Sequence, residues 1–182
     1  MSAPLLIASK LIAGGRGLAP AIVRRAATIE LDWDTRQKSR FDAVDSTGRA
    51  IGVFLPRGRI VRGGDVLVAE DGSLIAVKAR DQPILVVTAH GDAGSTLALL
   101  RAAYHLGNRH VPLEVRADRL QLEPDHVLAE MLVRMGLHVA EASGSFEPEA
   151  GAYDTASSGR GHDHAQGHDH AHDRHDHDHD HA

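Results

Sequence analysis

The chain has 182 residues, which allows one large domain or two small ones, and only six of them are Phe, Trp or Tyr, which argues against aromatic surfaces that stack bases or sugars. Cysteine is absent, which excludes disulfides, iron–sulfur clusters, thiolate zinc sites and thiol catalysis and leaves histidine and carboxylate as the strong metal ligands. The formal net charge of −5 resides in residues 161–182, which hold six Asp and one Arg, and the neutral remainder gives no support for nucleic-acid binding.

Residues 1–82 predict a small β-rich domain, because short apolar runs alternate with turns rich in Gly, Asp and Pro. One face of a predicted strand carries three basic residues, Arg36, Lys38 and Arg40. Together with residues 55–65, they form a candidate peptide-binding surface. The predicted strands are residues 27–33, 39–44, 50–55, 66–69 and 74–79.

Residues 83–153 predict a second domain in which strands alternate with helices. The strands are residues 84–89, 111–117, 120–122 and 137–140, and the helices are residues 95–106 and a segment starting with Pro124 at its first position. The first helix is expected to bury Leu97, Leu100, Ala103 and Tyr104, and the second Val127, Leu128, Met131, Leu132 and Met135. The order βαββαβ is that of the ferredoxin-like fold, so the predicted class is α+β.

Beyond about residue 142 there is little to bury, and residues 154–182 are predicted to form a disordered tail. In an extended tail, alternating His and Asp place imidazoles on one side and carboxylates on the other, an arrangement that favours a borderline divalent cation. An expression tag and a functionless polar tail are the alternatives. The tail contains nine of the fourteen histidines: His162, His164, His168, His170, His172, His175, His177, His179 and His181.

The five remaining histidines are separate along the chain, and a single histidine in a globular domain is usually a surface or hydrogen-bonded structural residue. His110 is predicted to begin a strand after the Gly107-Asn108 turn, and His126 to lie in the first turn of the second helix, so both side chains can reach an interface. Whether His90, His105 or His138 is a ligand stays open at this point.

Membrane insertion and export find no support in the sequence. The opening Leu5-Leu6-Ile7 run is too short and too soon interrupted for a signal peptide, and no apolar run reaches the length of a membrane span. The chain also lacks a recognisable catalytic motif. We therefore expect a cytoplasmic protein that is not an enzyme.

Several motifs closely resemble the UreE family, the urease accessory proteins that deliver nickel. The resemblance spans most of residues 30–153 together with the tail. The motifs are Tyr104-His105-Leu106-Gly107-Asn108-Arg109-His110-Val111-Pro112-Leu113, Leu55-Pro56-Arg57-Gly58, Arg62-Gly63-Gly64-Asp65, Asp125-His126-Val127-Leu128 and Phe146-Glu147-Pro148-Glu149-Ala150-Gly151-Ala152-Tyr153.

The resemblance implies a peptide- or partner-binding domain in residues 1–82 and a metal-binding, dimerising domain in residues 83–153. It also implies a homodimer in which His110 and its symmetry mate hold one Ni²⁺, for which Zn²⁺, Cu²⁺ or Co²⁺ can compete. His126 corresponds to a second family histidine, whereas some relatives have a further histidine where this chain has Pro124. The implied partners are the urease apoenzyme complex and an accessory GTPase, and dimers can associate further through a shared metal.

Two other functions are compatible with the residues. One is a metal buffer, in which the tail stores ions and the folded part keeps it in solution. The other is a peptide-binding folding helper, in which metal binding is incidental.

Overall fold

The computed structural model describes residues 5–90 and 95–150, so the predicted tail, residues 154–182, lies outside the described residues. The first part of the chain forms a six-stranded sheet in the order β2-β6-β5-β1-β4-β3. Among the described helices, none has the length and apolarity needed to cross a membrane. The elements are β1 Leu6–Ile12, α1 Pro20–Arg25, β2 Ala27–Leu31, α2 Trp33–Arg36, β3 Arg40–Val44, β4 Ala50–Phe54, β5 Val66–Ala69 and β6 Leu74–Ala79.

Alternating apolar residues of this sheet build the first core, which includes the fully buried Ile51, Val53, Leu67 and Ile75. Strand β1 was missed in the sequence, although it lies between β4 and β5. Its register shifts between Ala8 and Lys10, and the exposed polar residues at this bulge interrupt the alternation that reveals a strand.

The predicted strand at residues 27–33 ends early, and the prediction for Arg36 was wrong. Strand β2 stops at Leu31, and the Asp32 carboxylate then accepts a hydrogen bond from the backbone N–H of Thr35 at 2.9 Å, which caps α2. Arg36 ends this helix and is 0% exposed, so it cannot belong to a peptide-binding surface.

The second sheet has the predicted ferredoxin-like arrangement. Four antiparallel strands lie in the order β10-β7-β9-β8, and two helices pack on one face of the sheet. The chain order confirms the βαββαβ prediction. The elements are β7 Asp81–Ala89, α3 Ser95–Gly107, β8 Glu114–Val115, β9 Leu120–Leu122, α4 His126–Arg134 and β10 Leu137–Ser145.

The helices differ in detail from the predictions. The buried face of α3 is formed by Leu99, Ala102 and Leu106, whereas the predicted Leu97, Leu100 and Tyr104 are exposed. The sequence could not decide between the two faces because both are apolar. In α4, Val127 is exposed rather than buried, while Leu128, Met131, Leu132 and Met135 pack inward as expected.

The ends of the last elements also differ. Pro124 precedes α4 instead of opening it, because Asp125 is the N-cap and its carboxylate accepts from the backbone N–H of Leu128 at 2.9 Å. Strand β10 extends to Ser145 because it pairs with all nine residues of β7. The chain therefore continues to bury side chains beyond residue 142, and Phe146 is completely buried.

The segment 146–149 joins the two sheets. The Glu147 carboxylate accepts hydrogen bonds from the guanidinium of Arg36 at 2.6 Å and from the backbone N–H of Gly63 at 2.7 Å. Arg36 also donates to the carbonyl oxygens of Leu31 and Phe146, at 3.2 and 2.5 Å. The interface between the sheets is thus organised around one buried guanidinium whose donors are directed at both of them.

We expect Arg36→Ala to lower the free energy of unfolding by about 3 kcal/mol, because it removes a completely buried guanidinium and leaves the carbonyl oxygens of Leu31 and Phe146 without this donor. Lys78→Ala is the matched control, since Lys78 and Glu30 form an exposed pair 4.0 Å apart, and its effect is expected to stay within about 0.5 kcal/mol. Urea unfolding followed by circular dichroism measures both. Equal effects of the two substitutions would contradict the assignment.

Asp45 gives the first sheet an acid-sensitive contact. Burial alone would raise the pKa of its carboxyl group, but hydrogen bonds from the side chain and backbone of Thr47 and from Arg49 outweigh burial and lower the pKa from 3.8 to about 2. Because the folded-state pKa lies below the unfolded one, the carboxylate stabilises the fold above about pH 4, and this contribution is lost as the pH falls towards 2.

We expect Asp45→Asn to cost about 2 kcal/mol at pH 7 and to flatten the dependence of stability on pH between about 4 and 2. Urea unfolding at a series of pH values measures both quantities. Asp42→Asn, an exposed substitution in neighbouring β3, serves as the control. Its free energy of unfolding should still fall between about pH 4 and 2, because Asp45 is intact. An unchanged slope in Asp45→Asn would refute this account.

Candidate metal centre

His110 lies in a tight turn that ends α3 and does not begin a strand as predicted. Its backbone N–H donates to the carbonyl oxygen of Gly107 at 2.9 Å, and the backbone N–H of Val111 donates to the carbonyl oxygen of Leu106 at 3.2 Å. The next strand begins only at Glu114. The turn therefore holds the backbone of His110 in place while its side chain is exposed.

The backbone of His110 has a φ of 56°, the only positive value at a non-glycine residue among those that the structure describes. This left-handed conformation costs a residue with a Cβ atom about 1 kcal/mol. Strained conformations of this kind cluster at functional sites, where the surrounding structure imposes them. The unfavourable backbone at His110 thus marks it as a candidate functional residue independently of its side chain.

The turn is preceded by an exposed apolar stripe on α3. Leu97, Leu100 and Tyr104 are 53%, 60% and 66% exposed and share one side of the helix, because their spacings of three and four residues correspond to about one turn each. The opposite side carries the buried Leu99, Ala102 and Leu106. The sequence prediction assigned the exposed side to the core, because both sides of α3 are apolar and their spacing does not distinguish them.

His105 lies beside the same stripe. Its ring packs edge-on against Tyr104, with 5.5 Å between ring centroids, and its carbonyl oxygen accepts a hydrogen bond from the guanidinium of Arg109 at 3.0 Å. Arg109 therefore helps to close the turn that carries His110.

His126 is the first residue of α4, and its side chain is exposed. The preceding Asp125 carboxylate is occupied in capping the helix. This position agrees with the expectation that His126 lies in the first turn of the second helix.

His90 and His138 are brought together, which the sequence did not reveal. Their ring centroids are 6.0 Å apart, and the ring planes form an angle of 63°. Within residues 5–90 and 95–150, the structure brings together no cluster of three or more His, Asp or Glu side chains suited to a metal ion. The nine predicted tail ligands, His162 to His181, lie outside the described residues.

Comparison with known proteins gives matches in both parts of the chain. Residues 8–80 match the family model described as the UreE urease accessory protein, N-terminal domain, and residues 82–182 match that of its C-terminal domain. Together the two models cover nearly the whole sequence, including the turn at His110 and the histidine-rich end.

Individual relatives are similar over most of the chain, and each is named urease accessory protein UreE. The protein of Methylibium petroleiphilum is 68% identical over 154 residues, which are 85% of this chain and 71% of the relative. That of Polaromonas naphthalenivorans is 62% identical over 85% of this chain and 74% of the relative, and that of Albidiferax ferrireducens is 62% identical over 83% and 87%. The chain therefore belongs to the UreE family of urease accessory proteins.

Proposed function

We propose that the protein is a nickel metallochaperone that binds Ni²⁺ between two subunits and delivers it for assembly of the urease active site. The observation that carries the proposal is the exposed His110, held on a fixed turn at the end of an exposed apolar stripe. Membership of a family of urease accessory proteins supports the process, urease maturation. The ion is cargo, and the protein is not itself an enzyme.

The stripe on α3 explains how two copies meet. Leu97, Leu100 and Tyr104 on one chain pack against the same residues of a second chain around a two-fold axis, which buries side chains that are otherwise exposed. We place the two-fold axis beside the C-terminal end of α3, near Tyr104, because there the symmetry that pairs the two stripes also brings the imidazole of His110 near its mate.

The chemistry of the paired site suits a carrier. Two imidazoles from two chains leave positions in the coordination shell open, so the ion can leave by ligand exchange with a recipient. Zn²⁺, Cu²⁺ and Co²⁺ also accept imidazole and compete for the site. His126 and the nine tail histidines supply further ligands, and a metal shared between dimers can produce a larger oligomer.

The first sheet supplies the surface for partners. It carries exposed basic residues, including Lys38, Arg40 and Arg57, and its own core is separate from that of the second sheet. We assign to it contacts with the urease apoenzyme complex and an accessory GTPase in the cytoplasm. Arg36 has no part in this surface because it is buried between the sheets.

The nickel proposal is tested with a chain that ends at Arg160, so that tail histidines do not contribute. We expect equilibrium dialysis at pH 7.5 to show that His110→Ala and His110→Gly each bind about one Ni²⁺ per dimer fewer than the parent. Glycine relieves the positive φ, so its loss of metal cannot be attributed to unfolding. His105→Ala is the control, and unchanged nickel binding in both His110 variants would reject the site.

The dimer is tested by placing a charge in the stripe. We expect Leu100→Glu to weaken dimerisation by about 100-fold or more, because the carboxylate would lose its hydration in the interface. Ile22→Glu is the matched control, since Ile22 is also a half-exposed apolar side chain but lies in α1 of the first domain. Sedimentation equilibrium of the metal-free chains measures both. Equal dimer dissociation constants for Leu100→Glu and Ile22→Glu would show that the subunits do not meet through the stripe.

A further inference from the structure

We infer that His90 and His138 form a second chelating site for a borderline divalent cation such as Ni²⁺, Zn²⁺ or Cu²⁺, separate from the paired His110. His138 lies on β10 and His90 directly follows the end of neighbouring β7, with 6.0 Å between their ring centroids. This site lies within one chain and does not require a second subunit, so it stands independently of the proposed dimer.

The strand register places both side chains on the same face of the sheet. His138 pairs with Thr88 across β10 and β7, and the register ends with Leu137 opposite Ala89. Continued by one residue, the alternation makes His90 the diagonal neighbour of His138. The helices cover the other face, where Leu137 and Val139 pack into the core. The two histidines are thus directed away from the helices and into solvent.

The separation fits coordination of one ion by both rings. An ion bound to one nitrogen of each ring at about 2.1 Å lies about 3.2 Å from each ring centre, so two rings on one ion have centroids at most about 6.4 Å apart. The observed 6.0 Å lies within this limit. Both side chains are exposed and can rotate to the shorter separation that a tetrahedral angle requires.

The backbone beneath His138 is well held, and that of His90 directly follows the same ladder. Strands β7 and β10 form nine consecutive residue pairs, from Leu137 opposite Ala89 to Ser145 opposite Asp81. The two imidazoles are therefore already close before an ion binds, and this preorganisation favours chelation.

The charges around the pair do not oppose a cation. Neither β7 nor β10 contains Lys or Arg. Two guanidinium groups border the same face near Thr88. That of Arg119 is paired with the Asp118 carboxylate at 3.2 Å, and that of Arg116 donates to the Glu114 carboxylate at 2.6 Å. Exposure also leaves the remaining coordination positions open to water.

The site is distinct from the proposed nickel site at His110. His90 lies on the N-terminal side of α3 and His110 immediately after its C-terminal end, and a helix of 13 residues is about 20 Å long. Each subunit therefore has an additional position for an ion, away from the stripe that we assign to the dimer.

The test uses the full chain with ¹⁵N-labelled histidine and ZnCl₂ as a diamagnetic probe at pH 7.5. Ring resonances of His90 and His138 are assigned by their disappearance in His90→Gln and His138→Gln. We expect the resonances of both rings to shift with the same zinc concentration at the midpoint. Either variant should raise the midpoint zinc concentration of the remaining ring by at least about tenfold, because a single imidazole no longer chelates. His105→Gln is the control and should leave the midpoint unchanged.

Three outcomes would overturn the inference. The rings could titrate with separate midpoints, each unaffected by loss of the other, or they could fail to shift, as expected of a simple aromatic contact. Alternatively, His110→Ala could abolish their shifts, which would assign them to the dimer site. If the zinc-induced shifts of both rings are retained in His110→Ala, the site is independent of the proposed nickel site at His110.

Discussion

The Glu147 carboxylate is the contact on which the arrangement of the molecule depends. It accepts hydrogen bonds from Arg36 and from the backbone N–H of Gly63, and an oxygen of the same group lies 3.4 Å from the guanidinium of Arg62. Gly63 can approach this closely only because it lacks a side chain, since a Cβ atom there would lie 2.8 Å from the carboxylate. The backbone N–H of Glu147 in turn donates to the buried Glu114, so one residue connects the first sheet with the strand that follows the His110 turn.

Helix α3 serves two purposes through its two apolar faces. One face completes the core of the second domain, and the other is exposed beside the turn that carries His110. A fold that needed only internal packing would place polar residues at Leu97, Leu100 and Tyr104. The cost of exposing these side chains is consistent with a protein of the UreE family whose proposed working form is a dimer, and the stripe lies next to His110, the proposed metal ligand.

The order of elements could be predicted from the sequence, because alternation, turn residues and helical spacing are local properties. Several features could not be predicted, because they depend on distant partners: the burial of Arg36 requires Glu147, 111 residues away, and the proximity of His90 and His138 requires the register of β7 and β10. The bulge after Ala8 concealed β1. For the candidate site, the UreE resemblance pointed to His110, but its left-handed backbone became evident only in three dimensions.

The positive φ at His110 has a consequence for how this position changes in evolution. A sequence selected only for folding would drift towards glycine or asparagine here, because both accept this conformation more readily than most residues do. The histidine of this chain is therefore not the residue that backbone preference alone would select. Residues that stay where the backbone would favour another amino acid offer a general means of separating functional from architectural requirements in related sequences.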